Sequence, residues 1–150
     1  MQLKTKHFGE ITIEKEKIIT FKNGLYGFED QNRFTIIENN DKENPFQWLQ
    51  SIDDSNLAFV VINPFIFKPD YDFDIPDSTV DKLEIEDPKD LLIYTIAVVP
   101  EDIKDVTVNL SGPIIINSKN KLGKQIIIED KRYTTKYYIF KELEQMDGEE

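Results

Sequence analysis

The residues of this chain that could do chemistry are mostly acids. Asp70, Asp72 and Asp74 alternate with Tyr71 and Phe73, and Asp81 follows, so acids stand at positions one, three, five and twelve of a calcium-binding loop. That pattern fails where such a loop is most demanding. Ile75 holds the sixth position, where the sharp turn needs glycine, and the twelfth acid is Asp rather than a bidentate Glu. Period-two alternation instead predicts an extended segment with its carboxylates in water and Tyr71 and Phe73 turned inward. Asp53-Asp54 and Glu84/Glu86 are paired carboxylates of the kind a glycoside hydrolase uses, and they define the alternative reading of a small β-barrel hydrolase. Among 29 acids such pairs also arise by chance, and the default is solvated charge.

Other catalytic constellations lack their parts. The single histidine, His7, lies between Lys6 and Phe8 near the N-terminus, and no Ser sits in a Gly-x-Ser-x-Gly elbow. Gly123-Lys124-Gln125 lacks the upstream Gly and the hydroxyl residue of a phosphate loop. With no cysteine there is no disulfide, thiol nucleophile or thiolate metal site. The expectation is a non-enzyme with no cofactor and no metal.

The elements that must position any site are β-strands. The 150 residues, 39% hydrophobic with 10 Phe and 6 Tyr, suffice for one well-packed domain. Short runs rich in Ile, Val, Phe, Tyr and Thr alternate with period two and are separated by Gly, Asn, Asp and Pro clusters. Candidate strands are Gln2–Phe8, Glu10–Ile13, Lys17–Phe21, Phe34–Glu38, Gln47–Ser51, Leu57–Val61, Leu91–Val99, Thr107–Leu110, Ile114–Asn117, Gln125–Glu129 and Thr134–Phe140. So many strands in so small a domain call for closure, and the expected fold is mainly β: a single-domain antiparallel β-barrel-like fold with one or two short helices. The run Leu91–Val99 is apolar on both faces, so something must cover its second face. Asp77–Glu84 reads as a helix, with Ser78 and Asp81 imitating a capping box, and a second turn begins at Asp87-Pro88. The domain is expected over 1–140, followed by an acidic tail over 141–150.

The formal charge is −11. It repels phosphate backbones, so any macromolecular partner is expected to be protein rather than nucleic acid. The basic and aromatic run Lys131–Tyr138 has acids on both sides and reads as a strand with one apolar face. The longest apolar run, Leu91–Val99, is far short of a membrane span, and no apolar leader opens the chain; a cytoplasmic location is expected.

Three further stretches stand together: Gly24-Leu25-Tyr26-Gly27-Phe28-Glu29, Phe46-Gln47-Trp48-Leu49-Gln50-Ser51-Ile52-Asp53, and Leu57-Ala58-Phe59-Val60-Val61-Ile62-Asn63-Pro64 followed by Pro69-Asp70-Tyr71. In this order and spacing, with Phe8-Gly9-Glu10-Ile11 before them, the chain resembles the FliW family of flagellar assembly factors from its start to about Phe140. It departs from the family at Tyr26, where Pro often precedes the second Gly. The resemblance implies a small β-barrel-like fold and a non-enzymatic part in partner switching. Such proteins bind cytoplasmic flagellin and, when flagellin is exported, are freed to bind the RNA-binding translational repressor CsrA, away from its RNA surface. Repression of flagellin translation is thereby relieved allosterically.

Repressors like CsrA carry basic edges, which an acidic partner attracts at long range. The window Asp70 to Asp90 holds nine acids and two lysines, a net of −7 out of −11. Affinity needs buried anchors as well, and two sets of candidates arise. In the loop Gly24–Glu29, glycines permit a path that exposes an aromatic residue, with Tyr26 and Phe28 as the candidates and Glu29 beside them; alternatively Phe28 closes the barrel. Near the C-terminus, Ile139, Leu143 and Met146 fall at i, i+4 and i+7 and form one apolar stripe if helical, or belong to a frayed tail. Gln50 and Ser51 either offer hydrogen bonds to a partner or cap the turn after them. Tyr71 and Asp72 carry the same ambiguity between turn and surface.

Overall fold

The computed structural model describes residues 1–41 and 43–140. Among these residues eleven strands form: β1 (Gln2–Thr5), β2 (Gly9–Thr12), β3 (Ile19–Thr20), β4 (Arg33–Ile37), β5 (Gln47–Ser51), β6 (Ala58–Ile62), β7 (Leu91–Val98), β8 (Thr107–Val108), β9 (Ile114–Asn117), β10 (Leu122–Gln125) and β11 (Tyr137–Tyr138). Seven of them close into a barrel in the order β3-β4-β5-β6-β7-β9-β10 and back to β3. Strand direction cannot alternate all the way round a ring of seven, so one neighbouring pair must run parallel. That pair is β3 and β10, joined at Thr20 and Leu122, and every other pair is antiparallel. The mainly β, barrel-like architecture expected from the sequence is present.

The barrel interior holds Ile19, Phe21, Leu25, Phe34, Leu49, Val61, Ile114 and Ile116, with the Phe21 and Phe34 rings edge to face at 5.5 Å. Tyr94 and Ile96 of β7 face into this core. Leu91 and Ile93 point outward and lie under Leu83, Ile75 and Ile85, from the segment that crosses the barrel between β6 and β7. Ala97 joins a second outer cluster with Tyr71, Val106, Val108, Leu110, Tyr133 and Ile139. That crossing segment is the cover the doubly apolar strand required. Within β7, Leu92 and Val98 are exposed, Leu91, Ile93, Tyr94 and Ile96 are half-buried, and Thr95 and Ala97 are buried.

Local chemistry explains where expected and observed elements part. The helix α1 (Asp77–Lys82) is where the spacing predicts it, but Pro76 holds its N-cap position with no side-chain cap, so the Ser78/Asp81 capping box does not form. The turn at Asp87-Pro88 does form, and the Asp87 side chain accepts from the Lys89 N–H at 3.0 Å. The strand expected at Gln125–Glu129 lies earlier, at Leu122–Gln125. Lys121 adopts a positive φ of 61° and the chain reverses there, so Leu122 already pairs with Asn117. Gly123 is a strand residue whose missing side chain makes room for the Phe21 ring: a Cβ there would stand 2.6 Å from it.

Tyr71 anchors the crossing segment. It is buried, donates its hydroxyl hydrogen to the Leu110 carbonyl at 2.5 Å and meets the Tyr133 ring edge to face at 4.7 Å. Replacing Tyr71 with Phe is expected to cost about 1–3 kcal/mol in urea denaturation, because the buried Leu110 carbonyl loses this donor. Burial, and after it the neighbouring Tyr133, push the Tyr71 hydroxyl well above the ordinary tyrosine range. A raised folded-state pKa means that its contribution is complete below about pH 10 and is lost as the pH rises beyond it. The alkaline limb of the stability curve should therefore be shallower in the Phe variant.

Candidate functional site

The loop Gly24–Glu29 builds a small aromatic promontory. Leu25 and Phe28 pair across a two-residue turn, with the Phe28 N–H on the Leu25 carbonyl at 2.8 Å. Gly24 and Gly27 take positive φ of 65° and 87°, and Gly27 thereby supplies the third residue of a type II turn. Leu25 plugs the barrel core, whereas Tyr26, at the tip, is 57% exposed. Its backbone N–H donates to Gln125 Oε1 at 3.0 Å, a bond proline cannot make at this position, and Gln125 Nε2 in turn donates to the Gly112 carbonyl at 3.0 Å. Phe28 stands edge to face with Phe59 at 5.1 Å and keeps 38% of its surface. Phe28 therefore covers the Phe59 ring on one side and stays exposed on the other. Glu29 Oε1 accepts from the Gly27 N–H at 3.1 Å and steadies the turn.

Beside this promontory runs a groove of about 290 Å³ between the hairpin, β6, β7 and the chain after β10, lined by Tyr26, Phe59, Ile96, Val98 and Ile127. Val98 and Ile127 are 65% and 53% exposed. An exposed apolar floor with an aromatic rim is the usual form of a protein-contact patch. Sequence reasoning missed Phe59, Val98 and Ile127; a signal existed in the double-faced β7 run, whose last residue had no cover to go under.

The acidic segment meets this groove. A cleft lined by Asp72, Asp74, Glu129 and Asp130 also contains Ile127, so that residue borders both surfaces. Asp72 is exposed, as are Asp70, Asp74, Asp77, Asp81, Glu84, Glu86 and Asp87. The alternation in which Tyr71 faces in and its flanking acids face out is observed. Among the described residues no three of these groups gather as a metal site would require.

The remaining candidates sit elsewhere. Gln50 is fully buried, and its Nε2 faces the carbonyls of Ser51 at 3.1 Å and Leu57 at 3.2 Å, tying the turn between β5 and β6. Ser51 is also buried; its hydroxyl donates to Gln31 Oε1 at 2.9 Å and accepts from the Asp54 N–H at 3.0 Å. Both are framework: the turn-capping reading holds, and neither group is presented to a partner. Tyr71 is framework for the same reason. Ile139, 4% exposed, packs in the outer cluster rather than opening an apolar stripe, because the end of the described chain folds back over Val108 and Tyr133. Leu143 and Met146 lie outside the described residues. His7 stacks on Trp48 at 4.6 Å, with Phe8 edge-on to the same ring at 5.6 Å, and so docks the β1–β2 hairpin on the barrel.

Of the paired carboxylates, Glu84 and Glu86 are both exposed, and Asp53 is bound to Arg33. Asp53 is held low by a hydrogen bond from Arg33, and Asp130 by one from Arg132. A general acid needs the opposite shift.

Residues 2–139 match the model of the FliW protein family. The chain belongs to the FliW family. It is 55% identical to the flagellar assembly factor FliW of Alkaliphilus metalliredigens over 146 residues, 97% of this chain and 90% of that one. With the flagellar assembly factor FliW of Ruminiclostridium cellulolyticum the identity is 44% over 147 residues, 98% and 99% of the two chains. A crystal structure of the flagellar assembly factor FliW superposes with a TM-score of 0.87 at 36% identity, covering 93% of this chain and 97% of that one. The FliW barrel is therefore the frame on which the Tyr26 promontory, the groove and the acidic segment are mounted.

Proposed function

We propose that this protein is a non-enzymatic flagellar regulator of the cytoplasm. It binds flagellin and, when flagellin is exported, binds CsrA away from the RNA surface, relieving repression of flagellin translation. The observation that carries this reading is the division of the surface into two unlike patches that share a border at Ile127. The segment Asp70–Asp90, net −7, suits a repressor with basic edges, whereas the apolar groove beside Tyr26 suits flagellin. A shared border favours one partner at a time, as switching requires. Bound next to an RNA groove, the acidic segment makes phosphates less welcome there without occupying the groove.

Raising the ionic strength from about 0.02 to 0.5 M is expected to slow association with purified CsrA at least tenfold, read by stopped flow. A rate indifferent to salt removes the steering. Absence of binding to both purified CsrA and purified flagellin overturns the reading as a whole.

A further inference from the structure

Over the parallel seam of the barrel, between β3, β10 and the C-terminal end of α1, lies a pocket of about 200 Å³. Three lysines line it from three elements: the exposed Lys22 after β3, the exposed Lys82 from α1 and the half-buried Lys124 from β10, beside Thr20 and Asn23. No Asp or Glu lines it, although the chain has 29 acids and Asp81 and Glu84 flank the α1 contribution in sequence. The ion pairs among the described residues are Arg33–Asp53, Lys68–Asp70, Lys119–Glu86 and Arg132–Asp130, and none involves these three lysines. Partial burial lowers the basicity of Lys124, and the nearby Lys82 lowers it further.

Lys82 and Lys124 stand close enough to repel each other, and no carboxylate lines the pocket to offset them. In a protein of net charge −11, carboxylates to neutralise these lysines are plentiful, yet the fold keeps them away from this pocket. We infer that the Lys22/Lys82/Lys124 pocket is a binding site for a phosphate dianion, either free inorganic phosphate or the end group of a small phosphomonoester. The neighbouring ammonium groups of Lys82 and Lys124, with Lys22 on the same pocket, match a doubly charged oxyanion with several acceptor oxygens better than a single carboxylate, and charge-assisted hydrogen bonds to ammonium are strong. Leu83 and Leu122 on the wall leave room for a short apolar substituent. The inference is independent of flagellin and CsrA.

The test is a titration of the full chain with inorganic phosphate at pH 7, at ionic strength held constant with sodium chloride, read by calorimetry and by the amide signals of Gly24 and Gly123. Saturable binding is expected, with affinity at least tenfold weaker in a Lys82→Gln/Lys124→Gln variant and unchanged in Lys104→Gln, a control on an exposed turn. Without phosphate, the double variant is expected to be at least as stable as the parent, since it loses a repulsion, so loss of binding will not reflect loss of fold. O-phosphoserine binding more tightly than phosphate assigns the site to phosphomonoesters; weaker binding assigns it to free phosphate. An equal response to chloride alone, or undiminished phosphate binding in the double variant, overturns the site.

Discussion

Replacing Gly24 with Ala is expected to lower the stability of this protein by about 3–5 kcal/mol. Two costs combine at this position. The φ of 65° puts any L side chain in the left-handed region. The new Cβ would also stand 2.6 Å from Glu29 Cα and closer still to the Phe28 carbonyl oxygen. Both neighbours are backbone, held by the Leu25–Phe28 pairing, so neither yields as the end of a flexible side chain does. Gly27 supplies the comparison: its φ of 87° carries the first cost, but a Cβ there meets nothing within 4 Å. Urea denaturation of the two Ala variants separates strain from collision, and a Gly24 variant within 1 kcal/mol of the Gly27 variant would show that the loop shifts to admit the methyl group.

The second large effect concerns binding. Removing the ring with Tyr26→Ala is expected to weaken flagellin binding about thirtyfold or more while changing stability by less than about 0.5 kcal/mol. The ring is more than half exposed, and the hydrogen bond that fixes the turn comes from the backbone, so truncation leaves the scaffold in place. Tyr26→Phe should keep most of the affinity, because the apolar face of the ring is what a groove partner buries. Calorimetry with purified flagellin checks both. A Tyr26→Ala variant that binds like the parent would move flagellin off this groove.

Much of this molecule was legible in its residues. Period-two runs located most strands, because a strand with one buried face must alternate, and the doubly apolar Leu91–Val99 run foretold a central strand with an outer cover. The glycines at 24 and 27 pointed to an exposed aromatic residue in their loop, and Tyr26 is the more exposed of its two candidates. What stayed hidden depended on three-dimensional company. No spacing sets Gly123 against the Phe21 ring, and Gln50 and Ser51 could serve a partner or a turn until the turn they tie together is seen to close over them. The groove residues Phe59, Val98 and Ile127 come from separate strands and segments, and no spacing in the chain brings them together. Ile139 fitted a helical stripe by its spacing, but it belongs to the outer cluster beside Tyr133.

The odd number of strands has a consequence for how the protein is made. Strands β3 to β7 follow one another and can pair as they appear, but the parallel seam waits for β10, roughly a hundred residues after β3. At about 5–20 residues per second of synthesis, the edge of β3 stays unpaired for some seconds while its partner is still being made. Closure across so long a separation is a slow, late event in folding. A nascent chain interrupted before Leu122 is therefore an open sheet with a free edge, the form most prone to pair with another copy of itself.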